Sequence, residues 1–337
     1  MTDDYQPLDA PAQHPEYPIP GVVEAFSVTA DGQATPLETL DASGPPKEGF
    51  VWIHLNLDDA GPVLEETLRL PPLITRSLLA KETRPRCRHL LGGILINLRG
   101  INLNDGCRPE DMLSLRCWLE PGRIITLRKR RSVAVQEIRA RYREGTGDAT
   151  ACALLIQIIR GLMDIIEPFV DDMADSLEAH EASAAKNGIR MTMCEQISSL
   201  RHDAVTYRRY LAPMRDAIRR LIARDGGPFI SEEQAEIDEE TDRATRVVEE
   251  LDITIERASV IVDQMEAARS ERINRNMVLL AIVSAIFLPL SFITGLLGVN
   301  VAGIPGTENP YAFGILVTTC VAMGGALGVW FKGQDWI

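Results

Sequence analysis

No two of the six cysteines (Cys87, Cys107, Cys117, Cys152, Cys194, Cys320) stand in C-x-x-C spacing, and the five histidines show no H-x-x-x-H pair. The nearest approach, Cys87-x-His89, is too little for a four-ligand zinc centre. Scattered unpaired thiols read as buried or incidental and suit a reducing cytosol. No G-x-G-x-x-G or G-x-x-x-x-G-K-[ST] phosphate loop and no G-x-S-x-G nucleophile elbow occurs, so an enzyme reading has no motif to rest on. A basic excess is also missing. Lys and Arg number 35 against 48 Asp and Glu, a net charge of -13, which argues against nucleic acid as a partner. The first residues lack a positive n-region and an apolar h-region, so no signal peptide is expected. Charge itself is nearly absent from about the last 60 residues, a length that matters for membranes.

What is present divides the chain. Hydrophobic residues at 45% exclude disorder throughout, and 337 residues allow about two domains. Residues 1–20, with prolines at 7, 11, 15, 18 and 20, read as a disordered tail. Over 21–145, runs rich in Ile, Leu and Val at Val22 to Val28, Phe50 to Leu55, Gly93 to Leu103, Leu113 to Leu119 and Ile124 to Leu127 predict strands. A helical stretch ends near Lys81, with Pro71 and Pro72 near its start. This is an α/β domain with a mixed sheet. Arg128-Lys129-Arg130-Arg131 reads as a solvated basic surface after its last strand.

Residues 146–276 form a helical region and stalk. Helices are expected over 132–144, 148–186 and 189–224, broken at Gly188 and at Gly226-Gly227-Pro228. Ser231 then opens a helix as N-cap, with Gln234 completing a capping box. Its heptad stripe runs Ile237, Thr241, Ala244, Val248, Leu251, Ile255, Ala258, Val262, Met265, as in a helix packed lengthwise against others. With no stop before Gly295, about 65 residues at about 1.5 Å each give a helix about 100 Å long. Between Ser231 and Glu266 stand 13 carboxylates and three arginines. They are either a solvated face or a field that attracts cations.

Residues 277–297 and 311–331 are uncharged runs, each long enough to cross a bilayer core of about 30 Å. Tyr311, Phe313, Trp330, Phe331 and Trp336 resemble an interfacial aromatic belt, and Gly324-x-x-x-Gly328 permits close helix packing. Arg269, Arg272 and Arg275 precede the first run, Lys332 follows the second, and the external loop 298–310 has no Lys or Arg. The positive-inside rule then puts both termini, including the tail 332–337, in the cytoplasm. The expected fold class is an α+β/α membrane protein: an N-terminal α/β cytosolic domain, a long helical stalk and two C-terminal transmembrane helices.

Two helices cannot enclose an ion path alone, so a channel needs several copies around one axis. Down the first span Met277, Ser284, Ser291 and Gly298 recur every seven residues, with Leu280, Leu288 and Gly295 near the same face. Such a face alternates small polar rings with apolar constrictions, or it simply packs helices through small residues. Glu308 is the one carboxylate of the loop. Repeated around an axis it gathers cations at the mouth, or else it is a single solvated charge.

The tripeptide Gly298-Val299-Asn300, directly after the first span, resembles the G-x-N signature of the CorA superfamily (2-TM-GxN) of divalent metal ion transporters. Leu288-Pro289-Leu290-Ser291-Phe292 looks like that family's M-P-L-T-F segment. The loop from Gly298 to Gly306, Glu82-Thr83-Arg84-Pro85-Arg86 and Leu98-Arg99-Gly100-Ile101-Asn102 look like its zinc-transporting ZntB branch. The resemblance implies a funnel-shaped homopentamer in the inner (plasma) membrane that takes up Zn2+ coupled to protons, with lipids and divalent ions as its other partners and no cofactor. It carries over Gly298, Val299 and Asn300 as the entrance motif, and Asn274 and Met277 as the inner pore. A magnesium, cobalt or nickel channel and, from another class, a membrane-anchored sensor remain alternatives.

Overall fold

The structure is a computed structural model that describes residues 17–40, 48–81, 84–187, 191–222, 227–299, 304, 306 and 309–334. The chain divides into two compact units, Met1–Val260 and Ile261–Ile337.

In the first unit seven strands form one sheet: β1 (Val22–Val28), β2 (Ala34–Pro36), β3 (Phe50–Asn56), β4 (Arg86–Leu90), β5 (Gly93–Gly100), β6 (Leu113–Glu120) and β7 (Arg123–Arg128). Their order is β2-β1-β3-β7-β6-β5-β4. Only β3 and β7 are parallel, so the sheet is mixed as expected. Both faces are covered, which is why β3 and β7 read as nearly continuous apolar runs. Alternation sends Phe50 and Trp52 to one core and Ile53 and Leu55 to the other. Phe26, Trp52 and Tyr142 cluster in the first, with the Trp52 and Tyr142 rings 4.8 Å apart and edge to face. Gly49 enters β3 at φ +85°, and a Cβ there would lie 2.0 Å from the Val28 carbonyl oxygen, so only glycine fits.

The helices are α1 (Ala60–Pro62), running into a π-turn over Val63–Thr67, α2 (Pro72–Leu79), α3 (Val133–Arg143), α4 (Ala151–Asn187), α5 (Met191–Arg219), α6 (Ser231–Leu297) and α7 (Ala312–Gly333). The α4 start falls three residues later than expected. Thr150 caps it, its Oγ1 accepting from Ala153 N–H at 2.9 Å, while Asp148 N–H is taken by the Tyr142 hydroxyl. The expected capping box is also shifted. Glu233, not Gln234, reaches back to accept a backbone N–H, that of Ile230 at 3.0 Å, and Gln234 donates to the Phe229 carbonyl.

Along α6 the heptad stripe is buried within the single chain: Ile237, Thr241, Ala244, Val248, Leu251, Ala258 and Met265 are all buried, Ile255 and Val262 half-buried. Ile237 to Leu251 belong to the same core as Leu155, Ile159 and Ile166 of α4 and Tyr207 and Leu211 of α5. Arginines then stitch the helices. Arg160 of α4 binds Glu236 and Glu240, Arg243 of α6 binds Asp164 and Glu167, Arg257 binds Glu181, and Arg208 of α5 binds Asp252.

In the second unit, α7 and the C-terminal part of α6 are each long and apolar enough to cross a membrane. The α7 bounds match the expected second run within two residues. They pack with Gly324 beside Leu290, where an added Cβ would sit 3.8 Å from Leu290 Cδ1.

Candidate functional site

A seven-residue step on an α-helix drifts by only about 20°. Met277, Ser284, Ser291 and Gly298 therefore form one nearly straight row on α6, and Asn274, Leu280, Leu288 and Gly295 fall within about 60° of it. All of these are exposed in the single chain, Met277, Leu280 and Leu288 by 58%, 66% and 70%. The helix buries a different face. Ile282 is buried there, with Val278, Ala285, Ile286, Pro289 and Ile293 half-buried about it. The expected row is thus brought together on one uncharged, uncovered face of α6.

Its polar members are neutral. Within the row Ser284 Oγ donates to the Leu280 carbonyl at 2.8 Å, and outside it Thr294 Oγ1 donates to that of Leu290 at 3.0 Å. These two hydroxyls spend their protons on their own helix and keep lone pairs to offer as acceptors. Gly298 closes α6, its N–H donating to the Thr294 carbonyl at 2.9 Å. Its φ is not positive. A Cβ would lie 3.0 Å from the Thr294 oxygen, so close approach rather than positive φ favours glycine. Val299 is exposed. Asn300 and Glu308 lie outside the described residues, as do Trp336, the tail before Tyr17, Glu82, Thr83 and the break residues Gly188 and Gly226.

The acidic count on α6 overstates a cation-attracting field. Glu236, Glu239, Glu240 and Asp252 are held by arginines, and Glu233 accepts from the Thr150 hydroxyl at 2.7 Å. Asp238, Asp242 and Glu249 remain exposed. Burial works against the Arg243 charge, but the Glu167 and Asp164 carboxylates outweigh it and hold the guanidinium more firmly protonated than usual. These pairings were missed in the sequence, although Arg160, a lone charge in Leu154-Leu155-Ile156-Gln157-Ile158-Ile159-Arg160, signals a buried partner. Nor is the basic run wholly solvated. Arg128 is half-buried, and its Nε is buried without a partner. All six cysteines are free, Cys87, Cys117 and Cys152 buried. Among the described residues no group of three or more His, Cys, Asp or Glu is placed to hold a metal ion.

Known proteins share this layout. The chain is 30% identical over 319 residues to the "Zinc transport protein ZntB" of Pectobacterium carotovorum subsp. carotovorum (strain PC1), covering 94% of this chain and 96% of the relative. It is 35% identical over 281 residues to the "Divalent cation transporter CmaX" of Pseudomonas aeruginosa, covering 82% and 84%. The solved structure of the full-length CmaX protein superposes with a TM-score of 0.79 at 31% identity, over 94% of this chain and 98% of that one. Residues 47–332 match the model of the family described as "CorA-like Mg2+ transporter protein", and the chain belongs to that family.

Proposed function

We propose that this chain is a divalent-cation transporter that moves hydrated Zn2+ inward across the inner membrane through a central pore formed by five copies. The observation that carries the reading is the neutral row on α6, uncovered in the single chain, that ends at Gly298-Val299-Asn300. The zinc assignment is supported by the likeness to ZntB along nearly the whole chain.

A divalent ion holds its water tightly, and stripping it is costly. A ring of Asn300 side chains and loop carbonyls would offer neutral acceptors to those waters, strong enough to attract the ion and weak enough to release it. Met277 and Leu280 would form an apolar gate, and a ring of Glu308 would gather cations at the outer mouth. In this reading residues 277–297 and 311–331 cross the bilayer, the loop 298–310 faces outside, and both termini are cytoplasmic. Between Met277 and Phe331 the only Asp, Glu or His is Glu308, so proton coupling would use no intramembrane carboxylate or imidazole.

The second reading, magnesium, cobalt or nickel conduction, is favoured by the family description and by the breadth of the CmaX name. Competitive Zn2+ and Mg2+ flux into proteoliposomes separates the two, and a membrane-anchored sensor would give no flux. Asn300→Ala is expected to abolish flux while native mass spectrometry still finds the pentamer. Wild-type flux in a correctly inserted Asn300→Ala protein would sink the entrance assignment, and a particle of monomer mass would sink the pore.

A further inference from the structure

Among the described residues, five of the eight buried side-chain atoms without a hydrogen-bond partner belong to four residues of one small region. Asn97, in the middle of β5, faces Arg86 of β4 on one side and Arg116 of β6 on the other. Residues directly opposite across a ladder share a face, so all three side chains rise from the same side of the sheet, the side that α2 covers. Neighbouring strands lie about 4.8 Å apart, so the two arginines flank Asn97 across about 10 Å. Asn97 and Arg116 are 1% and 2% exposed. Arg86 Nε, Arg116 Nε and both amide atoms of Asn97 have no partner, and neither does Thr75 Oγ1 on the buried face of α2. Arg116 is fixed to that helix by its Nη1, which donates to the Leu78 carbonyl.

The charge balance is as one-sided as the hydrogen bonding. Burial above all, then the positive charges of Arg99 and Arg86, weakens the hold of Arg116 on its proton, to about 10. Among the described residues, the charges acting on it are those of Arg99 and Arg86, both cationic. Lys81, Arg84 and Arg88, close by in the chain, are exposed, and with Glu82 as the one acid of residues 81–88 the stretch is net positive. Buried polar groups normally find partners, and a buried unpaired charge calls for one of opposite sign.

We propose that Arg86, Asn97, Arg116 and Thr75 form a binding site for a phosphoryl group, a small tetrahedral oxyanion that keeps an ionisable proton. The two guanidinium Nε–H groups and the Asn97 Nδ2 supply donors from three adjacent strands. The Asn97 Oδ1 needs a donor in return, which a P–OH provides and which sulfate at neutral pH and chloride do not. The near-complete burial of Asn97 and Arg116 limits the ligand to a small group. This site is independent of the transport reading and lies wholly in the first unit.

The test uses the full-length protein in detergent, without divalent metal, at pH 7 and constant ionic strength. Thermal unfolding and isothermal titration calorimetry are run with sodium phosphate, sulfate and chloride, and with glycerol 3-phosphate. Saturable stabilisation by phosphate, weaker with sulfate and absent with chloride, is expected. Stronger binding of glycerol 3-phosphate identifies the source as a phosphomonoester, and stronger binding of phosphate identifies the free ion. Asn97→Asp, nearly isosteric, supplies an internal counter-charge. It is expected to raise the unfolding temperature in chloride and to abolish the phosphate response. Arg86→Gln, on the edge strand, is expected to raise the half-saturating phosphate concentration about tenfold, the loss of one charge-assisted hydrogen bond. Equal responses to phosphate and chloride, or an unchanged phosphate response in both variants, overturn the proposal.

Discussion

His54 lies on β3 between Glu24 of β1 and Thr126 of β7, fully buried, with Nδ1 2.8 Å from Thr126 Oγ1 and Nε2 without a partner. Burial first, then the Arg139 and Arg128 charges, holds its pKa well below the ordinary 6.5. The one acid of this row, Glu24, is engaged by Arg139 at 2.6 Å and by Arg143. The folded ring therefore stays neutral, while the unfolded chain takes up a proton below about pH 6.5. The unfolded state then binds more protons, so stability is complete above that pH and falls as pH falls, by about 1.36 kcal/mol per unit. From pH 6.5 to 5.0 the loss is about 2 kcal/mol. Denaturant titrations of the detergent-solubilised chain at pH 7.5 and 5.0 can follow Trp52, whose indole N–H donates to the same Thr126 hydroxyl at 2.8 Å. His54→Gln keeps a polar group beside Thr126 and cannot titrate. Wild type is expected to lose about 2 kcal/mol more than this variant between the two pH values, since other titrating groups cancel in the comparison. Parallel losses would refute the assignment of a neutral buried ring.

Arg243→Met should destabilise the first unit by about 2 kcal/mol, because Glu240, whose side chain is 2% exposed, keeps only Arg160, and Glu167 and Asp164 lose their shared partner. The denaturation midpoint measures it, and a change under about 1 kcal/mol would mean the pairs are screened as surface pairs are. Tyr311→Phe and Cys320→Ser should keep the dependence of zinc uptake on an imposed pH gradient, since neither residue is assigned the proton. If either variant loses that dependence while zinc flux persists, coupling runs through the second span.

The elements with strong apolar periodicity were legible in the sequence. β1 and the heptad stripe fall where expected, and the ends of α6 and α7 lie within two residues of the ends of the two apolar runs. β4 and β2 were not, for a physical reason. Arg86-Cys87-Arg88-His89-Leu90 is a polar sheet edge, where basic residues guard unpaired backbone groups and dilute the strand signal. β2 has only three residues and ends in proline. The α6 start was misread by one residue because Glu232, Glu233 and Gln234 all suit a cap, and only packing beside Thr150 selects Glu233. The row proposed to line a pore follows from a seven-residue period and needs only a helix to place it on one face. The arginine pairs between α4 and α6 needed the tertiary fold, because residues such as Arg160 and Glu240 meet only when the helices dock.

Ser284 tests how a neutral face could handle a charged cargo. A hydrated cation turns its water hydrogens outward, so the wall it meets must accept hydrogen bonds rather than donate them. A serine is ambiguous in principle, since its hydroxyl does both. Here the ambiguity is removed by the helix: the Ser284 proton goes to the Leu280 carbonyl, leaving oxygen lone pairs on the exposed side. The same bond lets the residue sit among Leu280, Val283 and Phe287 without an unsatisfied donor. In the proposed pore, Ser284→Ala should lower divalent flux several-fold, the loss of roughly 1 kcal/mol of hydrogen bonding to the ion's waters at the barrier. It should leave folding unchanged, because alanine suits the helix at least as well. Ser284→Thr, which can make the same bond to Leu280, should restore flux. If Ser284→Ala conducts like wild type in proteoliposomes, the row of Met277, Ser284 and Ser291 packs helices together and the ion path lies elsewhere.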